Sequence, residues 1–185
     1  MMKLSADSMP GRSKVMVGLG SNMGDRAHCL SRAIAILREE AGEIVALSSV
    51  WETEPWGFEA DDLFLNMVAV VETGLQPQQF MQLCRSAEGR LGRRRNTGRR
   101  YESRVIDIDI LLWEERVISA PGLEVPHPRL ADRKFVLVPL NEVAPDAVHP
   151  ETGQKVSELL TMCDDKSEVR LSQEKVQSAP LSAKL

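Results

Sequence analysis

The chain has 185 residues, of which 43% are hydrophobic and 27% are charged. It is therefore long enough for one well-buried core and too short for two ordinary domains. Its formal net charge of −4 argues against general nucleic-acid binding. No apolar run reaches the roughly 20 residues of a membrane span, and the first residues lack the apolar stretch of a secretory signal. We expect a cytoplasmic protein without a membrane contact or an obligate protein partner.

The first half of the chain predicts a strand, a helix and two more strands after a loose leader at 1–13. Residues 14–20 alternate in polarity as a buried strand does, and 25–41 repeat apolar residues at helical spacing. Residues 44–53 and 64–72 are rich in β-branched and apolar side chains. The turn-like loop between them predicts that these two strands pair antiparallel.

The second half predicts a helix beginning at Pro77, an arginine-rich loop at about 92–103 and a strand at 105–113. A short strand at 115–119 and a short helix near 135–143 follow. This order is typical of an α+β fold, a ferredoxin-like split βαβ sandwich with helices flanking a mostly antiparallel sheet. We expect one domain over 14–163 and a polar, mobile tail over 164–185, which is short of large apolar residues.

Cysteine and histidine usage predicts neither a disulfide framework nor a zinc site. The cysteines at 29, 84 and 163 are far apart and odd in number, and small buried thiols are the simpler interpretation. The histidines at 28, 127 and 149 have no ligand-like spacing with cysteine or aspartate.

Two aspartates lie one pleat apart on the strand at 105–113. Asp107 and Asp109 share one face, while Ile106, Ile108 and Ile110 form the other. Two neighbouring carboxylates repel each other unless a cation lies between them, and Mg²⁺ takes oxygen ligands together with substrate phosphates. The alternative is an ordinary solvated polar face.

Arginines are concentrated just before this strand. A mildly acidic chain that gathers so many cations in one stretch has a local anion to bind, and the planar guanidinium grips two phosphate oxygens at once. A solvated basic loop or an RNA-binding patch stays open as an alternative, although Tyr101 is the one aromatic residue in the run. The arginines of this stretch are Arg90, Arg93, Arg94, Arg95, Arg99, Arg100 and Arg104.

A glycine-rich turn connects the first strand to the first helix. Gly18, Gly20 and Gly24 have neither the dinucleotide-binding spacing nor that of a phosphate-binding P-loop. We interpret these glycines as positions of tight backbone packing around the start of a helix. If a ligand binds nearby, they would form part of the pocket wall and would not bind it specifically.

Several motifs occur together in one order. They are Val-Gly-Leu-Gly-Ser-Asn-Met-Gly-Asp at 17–25, Ser-Ser-Val-Trp-Glu-Thr-Glu-Pro-Trp-Gly at 48–57, Phe-Leu-Asn at 64–66, Glu88 with Gly92-Arg93, Arg-Val-Ile-Asp-Ile-Asp-Ile-Leu at 104–111, and Val-Pro-His-Pro-Arg-Leu-Ala-Asp-Arg-Lys-Phe-Val-Leu-Val-Pro-Leu at 125–140. From about Val15 to Pro150 the chain thereby resembles the hydroxymethyldihydropterin pyrophosphokinase family. The resemblance implies transfer of diphosphate from MgATP to the hydroxymethyl group of 6-hydroxymethyl-7,8-dihydropterin, with release of AMP, in folate biosynthesis.

The resemblance also implies roles for individual residues. Two Mg²⁺ ions would be held by Asp107 and Asp109, and Arg93 and Arg104 would neutralise the phosphate chain during transfer. ATP would be bound by Glu88, Arg95, Tyr101, His127 and Arg133. The pterin would lie between the rings of Phe64 and Phe135, with its polar edge met by Asn66 and by groups around Thr53, Pro55 and Trp56. Taken singly, each phenylalanine fits an ordinary core position, Asn66 a surface position and His127 a structural turn.

The chain departs from the family pattern at a few positions. Glu102-Ser103 stands where Gly-Pro is common, Glu54 replaces a frequent proline, and Pro128 follows His127 where some members have tyrosine. None of these changes removes a proposed metal ligand. A different Mg-dependent phosphoryl or nucleotidyl transferase, or an RNA-binding module of the same fold, remains the alternative function.

Overall fold

A computed structural model describes residues 11–55, 62–93 and 103–176, and every structural statement below concerns these ranges. The elements in chain order are β1 (Ser13–Ser21), α1 (Arg26–Ile36, extended by a wider helical turn over Leu37–Ala41), β2 (Glu43–Leu47), β3 (Trp51–Thr53), β4 (Phe64–Thr73), α2 (Pro77–Arg90), β5 (Asp107–Trp113), β6 (Ile118–Ala120), β7 (Leu123–Val125), α3 (Lys134–Val143), α4 (Val156–Met162) and β8 (Val169–Leu171).

Six strands form one sheet in the order β5-β1-β4-β3-β8, with β2 also paired to β4, while β6 and β7 form a separate hairpin. Every pairing between these strands is antiparallel. The predicted α+β fold with a mostly antiparallel sheet is confirmed. The long central strand β4 pairs with both β2 and β3, as the antiparallel pairing predicted for 44–53 and 64–72 requires.

The two faces of the sheet bury separate apolar clusters. One face packs on α1 and α2, and Ile106, Ile108 and Ile110 belong to this larger cluster. The other face packs on α3 and α4 through residues such as Leu111 and Leu140. Because side chains alternate along a strand, Asp107 and Asp109 lie on the α3 side, at the end of β5 where this apolar cover stops.

Local sequence signals explain where the main helices begin. The Asp25 side chain accepts a hydrogen bond from the His28 amide at 3.0 Å, which caps α1. Pro77 occupies the first turn of α2, and the Gln76 amide donates to the Gln79 side chain at 2.9 Å. These caps fix the ends of the helices that flank β1 and β5.

The predicted strand at 44–53 is two strands in the structure, because Ser48 and Ser49 interrupt it. Ser48 Oγ accepts a hydrogen bond from the Val68 amide at 2.8 Å, and the Ser49 amide donates to Glu142 on α3. Side-chain acceptors thus replace part of the ladder. The short helix α4 and the strand β7 are additional to the predicted elements, and the short strand predicted at 115–119 lies at Ile118–Ala120.

Part of the predicted mobile tail belongs to the sheet. Val169–Leu171 pairs antiparallel with β3, and the Ser172 amide donates to the Val50 carbonyl at 2.9 Å. The sequence analysis predicted a polar, mobile tail over 164–185, and Val169–Leu171 within it instead pair with β3. Val169, Arg170 and Leu171 alternate apolar and polar over three residues, which is too short to predict a strand, and Leu171 is exposed. Backbone hydrogen bonds to β3 hold the segment in the sheet.

The three cysteines are free thiols, with Cys84 buried and Cys29 and Cys163 half-buried. Burial raises the pKa of the Cys84 thiol well above its usual range, so this residue behaves as a small apolar side chain. Within the described ranges, no helix combines the length and the apolar character needed to cross a bilayer.

Candidate active site

Two pockets meet at the exposed end of β5. One lies between the sheet and α3, and the other lies between α2 and the β6–β7 hairpin. Arg104, Asp107, Asp109 and His127 line both of them. The paired aspartates therefore stand at the junction of two cavities, where two ligands could meet.

Asp107 is enclosed by two guanidinium groups. Arg93 Nη1 donates to Asp107 Oδ1 at 2.5 Å, and Arg104 Nη1 donates to Oδ2. Burial alone would favour the neutral acid, but the charges of Arg104 and Arg93 outweigh it and hold the pKa of Asp107 below its usual range. Asp107 is a carboxylate at neutral pH.

The pKa of Asp109 is shifted in the opposite direction from that of Asp107. Asp109 lies 3.8 Å from the guanidinium nitrogen Arg133 Nη1 and 3.9 Å from Nε2 of the His127 ring, so its contact with a positive charge is longer than those of Asp107. Burial and the nearby charge of Asp107 raise the pKa of Asp109 to about 7. Its side chain keeps 40% of its surface open, so a cation that enters the pocket can reach it.

Glu88 connects α2 to β5 behind the aspartates. It is 3% exposed, and its Oε1 accepts hydrogen bonds from the Ile108 amide at 3.0 Å and from Arg93 Nη1. One buried carboxylate thus fixes both the strand that carries the aspartates and an arginine that contacts Asp107. This arrangement orients Arg93 within the second pocket, which Glu88 also lines.

His127 and Arg133 form the wall opposite the arginine pair. The Arg129 amide donates to His127 Nδ1 at 3.2 Å, which leaves Nε2 as the protonated nitrogen facing Asp109. Burial and the charge of Arg133 lower the pKa of His127 to about 4, so the ring is a neutral donor at pH 7. The Arg133 guanidinium lies 5.6 Å from the centre of the Phe135 ring.

The first pocket has a polar floor between two aromatic side chains. Asn66 is 7% exposed, and its Nδ2 donates to Thr53 Oγ1 at 2.7 Å, which leaves Oδ1 as an acceptor. Phe64 and Phe135 line the same cavity. This combination of aromatic faces and a buried amide suits a flat heteroaromatic ligand with a polar edge.

The glycine turn contributes Gly20 to the lining of the first pocket. Gly20 lies opposite Asn66 in the β1–β4 register and lines the first pocket. A Cβ atom at position 20 would lie 2.9 Å from Asn66 Oδ1 and 3.9 Å from Phe64 Cδ1. The absence of a side chain at Gly20 therefore keeps the Asn66 amide in place.

The resemblance assigns a pterin to this pocket, and we expect Gly20→Ala to weaken its binding about tenfold, because Asn66 must turn away and lose its hydrogen bond to Thr53. Calorimetric titration with that ligand measures this effect. Gly18→Ala is the matched control, since a Cβ there meets Leu111 Cδ1 at 3.3 Å rather than the Asn66 amide. An equal loss in both variants would contradict the role given to Gly20.

The remaining predicted residues fall into two groups. Pro55 is described and half-buried but is not among the residues that line the first pocket, whereas its neighbour Glu54 is. Trp56, Arg95 and Tyr101 lie outside the described residues.

Two buried polar residues to which the sequence analysis assigned no individual role, Ser21 and Asn22, anchor the segment before β5. Asn22 is 1% exposed, and its side-chain Oδ1 accepts a hydrogen bond from the Arg104 backbone amide at 2.6 Å. The backbone amide of Asn22 donates to the Arg104 carbonyl at 3.0 Å. Ser21 Oγ donates to the Val105 carbonyl at 2.6 Å. These contacts fix the backbone from which Arg104 reaches Asp107.

Comparison with known proteins matches residues 16–145 to the family model of 7,8-dihydro-6-hydroxymethylpterin-pyrophosphokinase (HPPK). The chain belongs to this family. The HPPK relatives include the 2-amino-4-hydroxy-6-hydroxymethyldihydropteridine pyrophosphokinase of Porphyromonas gingivalis, 44% identical over 139 residues that cover 74% of this chain and 94% of the relative. That of Methylorubrum extorquens is 42% identical over 153 residues, or 82% of this chain and 94% of the relative.

The HPPK domain also occurs within longer chains. The folic acid synthesis protein fol1 of Schizosaccharomyces pombe is 36% identical over 145 residues, which cover 20% of its length. The HPPK-DHPS of Plasmodium falciparum, solved with pteroate, superposes with a TM-score of 0.68 over 82% of this chain and 44% of that one. At 14% identity this likeness shows the fold alone. These comparisons give no support to the RNA-binding alternative.

Proposed function

We propose that the chain transfers diphosphate from MgATP to the hydroxymethyl group of 6-hydroxymethyl-7,8-dihydropterin and releases AMP, a step of folate biosynthesis. The observation that carries the proposal is the pair Asp107 and Asp109 at the junction of two pockets, in a chain of the HPPK family. The pocket with Asn66 between Phe64 and Phe135 suits the pterin. The pocket between α2 and the β6–β7 hairpin then takes the nucleotide.

The aspartate pair fits Mg²⁺ that arrives with a nucleotide. Burial and the charge of Asp107 raise the pKa of Asp109, so a cation that binds between the two carboxylates would offset both effects. In the described part of the chain, no cluster of three or more His, Cys, Asp and Glu side chains could hold a metal. Asp107 and Asp109 would be the protein's ligands, and water and phosphate oxygens would complete the shell, as is common for Mg²⁺ in phosphoryl transfer. We propose that two such ions bind, and that bound Mg²⁺ neutralises the phosphate charge.

The arginines and His127 bind the phosphate chain in this proposal. Arg93 and Arg104 now neutralise Asp107, and they can turn to phosphate oxygens when a cation takes their place on that carboxylate. Neutral His127 donates from Nε2, and Arg133 adds a charge from the same side. Arg95 and Tyr101, outside the described residues, remain proposed nucleotide contacts.

The reaction follows from this arrangement. The hydroxymethyl oxygen of the pterin attacks the β-phosphorus of ATP in line, the bond to the α,β-bridging oxygen breaks, and AMP leaves. The hydroxyl proton is released to solvent, and no side chain is assigned as its base. Positioning of the two substrates and neutralisation of the phosphate charge supply most of the catalysis.

Product analysis tests the proposal directly. Incubation of the chain with MgATP and the pterin is expected to give AMP and the pterin diphosphate in equal amounts. ADP as the nucleotide product would refute diphosphoryl transfer and favour a different phosphoryl transferase.

Binding of Mg²⁺ is expected to depend on pH through Asp109. Because the pKa of this carboxyl is about 7, a proton competes with the cation below that pH. Affinity should rise about tenfold per unit as pH increases toward 7 and level off above it. Titration of Mg²⁺ with an ATP analogue from pH 5.5 to 8.5 measures the profile, and comparison with Asp109→Asn separates the contribution of this carboxyl from the titration of the nucleotide's terminal phosphate. A profile that is flat in the unmodified chain would contradict the prediction.

A further inference from the structure

The segment Asp165–Leu171, here called the strap, connects two walls of the first pocket. It runs from the beginning of α3 to the edge of the sheet at β3. The family model matches residues 16–145, so the strap lies beyond the matched part of the chain. Its role therefore has to be inferred from its contacts.

Asp165 caps α3 at one end of the strap. The Lys134 amide, the first in the helix, donates to Asp165 Oδ2 at 3.1 Å, and Lys134 Nζ donates to the Ser167 carbonyl at 3.1 Å. Asp165 Oδ1 accepts a hydrogen bond from the Ser167 amide at 2.9 Å, which holds the carboxylate in position. The cap comes from a distant residue because the guanidinium of Arg133, at the N-cap position, has no acceptor to offer the first amides of the helix.

Asp165 caps the helix as a charged carboxylate. Burial alone would favour the neutral acid, but hydrogen bonds from Ser167 and Lys134 lower the pKa of Asp165 below its usual range. A carboxylate at the positive end of the helix stabilises its first turn. That turn begins with Lys134 and Phe135, which line or adjoin the pocket.

The other end of the strap is a strand on β3. Val169 pairs with Thr53 and Leu171 pairs with Trp51, so the strand covers the edge of β3. Thr53 is the residue that holds the Asn66 amide. One short segment thus contacts the helix start that carries Phe135 and the strand that carries Thr53.

We propose that the strap is a positioning element of the pterin pocket, which holds the Phe135 wall and the Thr53 wall at the separation that the ligand requires, with Asp165 as its positioning residue. This inference rests on the proposed function, because it concerns the pocket assigned to the pterin. Without the cap, the first turn of α3 frays and Phe135 samples several positions. The strap pairs at the edge of the sheet opposite β5, and Arg133, the N-cap residue of α3, is the proposed nucleotide contact that adjoins the cap. Because Arg133 is one of several proposed nucleotide contacts, nucleotide binding depends on the strap less than pterin binding does.

Single substitutions at the cap test the proposal in the full-length chain. Asp165→Ala removes the acceptor, Asp165→Asn keeps an acceptor oxygen without the charge, and Asp164→Ala alters the exposed neighbour as a matched control. For Asp165→Ala we expect pterin Kd and KM to rise about tenfold, and the nucleotide-analogue Kd to change by less than about threefold. Asp165→Asn should recover part of the pterin affinity, and Asp164→Ala should leave it unchanged. Hydrogen exchange should show faster exchange of the Lys134 amide in Asp165→Ala.

Three results would overturn the inference. One is unchanged pterin affinity in Asp165→Ala at a temperature where the variant is folded. Another is an equal loss of pterin and nucleotide affinity, which would indicate a merely structural role. The third is an equal effect of Asp164→Ala. A failure of the unmodified chain to form AMP would instead contradict the proposed function, whereas pterin titration and hydrogen exchange test the strap without turnover.

Discussion

The variant Asp107→Asn is expected to lose roughly 10³-fold or more in kcat while remaining folded. Asparagine has nearly the same shape and keeps an oxygen near Arg93 and Arg104, but it removes the negative charge that a cation needs. The nucleotide then enters with its phosphate charge less neutralised, and the in-line transfer loses its main electrostatic support. Steady-state formation of AMP at saturating substrates measures this loss.

A surface carboxylate provides the control for this variant. Asp146 is 84% exposed and pairs with Lys155 on the surface, so Asp146→Asn should leave kcat unchanged. Thermal melting checks that both variants fold. A folded Asp107→Asn variant with kcat within about tenfold of the unmodified chain would contradict the role of the aspartate pair.

The second large effect is expected at the floor of the pterin pocket. Asn66→Leu should weaken pterin binding about 100-fold with little change in nucleotide affinity, because a buried polar edge of the ligand would lose its partners. The same change also deprives the Thr53 hydroxyl of its donor. Titration with the pterin and, separately, with a nucleotide analogue measures the two affinities.

Thr53→Val distinguishes the role of the Thr53 hydroxyl, which holds the Asn66 side chain, from the role of the Asn66 amide itself. This variant removes the 2.7 Å hydrogen bond from Asn66 Nδ2 but leaves the amide in the pocket, so its effect on pterin affinity should be smaller. A larger loss in Thr53→Val than in Asn66→Leu would contradict the direct role of Asn66. Equal losses of pterin and nucleotide affinity would indicate that the substitution perturbs the fold instead.

The strand that carries the aspartates could be predicted from the sequence because its alternation is strong. Ile106, Ile108 and Ile110 all enter one apolar cluster, which forces Asp107 and Asp109 to the other face. The different electrostatic states of the two aspartates could not be predicted in this way. They depend on which guanidinium groups approach, and Arg93 comes from beyond the end of α2, across the pocket.

Long-range polar contacts account for most of what sequence reasoning missed. Asn22 fixes the backbone at Arg104, and Asp165 caps a helix that begins at Lys134, yet each looks like an ordinary turn or surface residue in the sequence. Hydrophobic periodicity reports which face of an element is buried, and it carries no information about a hydrogen bond between distant segments. The strand β8 was not predicted for the same reason, because its position depends on backbone pairing with β3.

The most direct test is a crystal structure of the chain with Mg²⁺, a non-hydrolysable ATP analogue and the pterin. We expect cation density at about 2.1 Å from carboxylate oxygens of both Asp107 and Asp109, shared with phosphate oxygens of the nucleotide. We also expect Arg93 and Arg104 to contact the phosphates. Aspartates that still face only arginine or solvent, with the nucleotide bound elsewhere, would rule out a role of this pair in holding Mg²⁺.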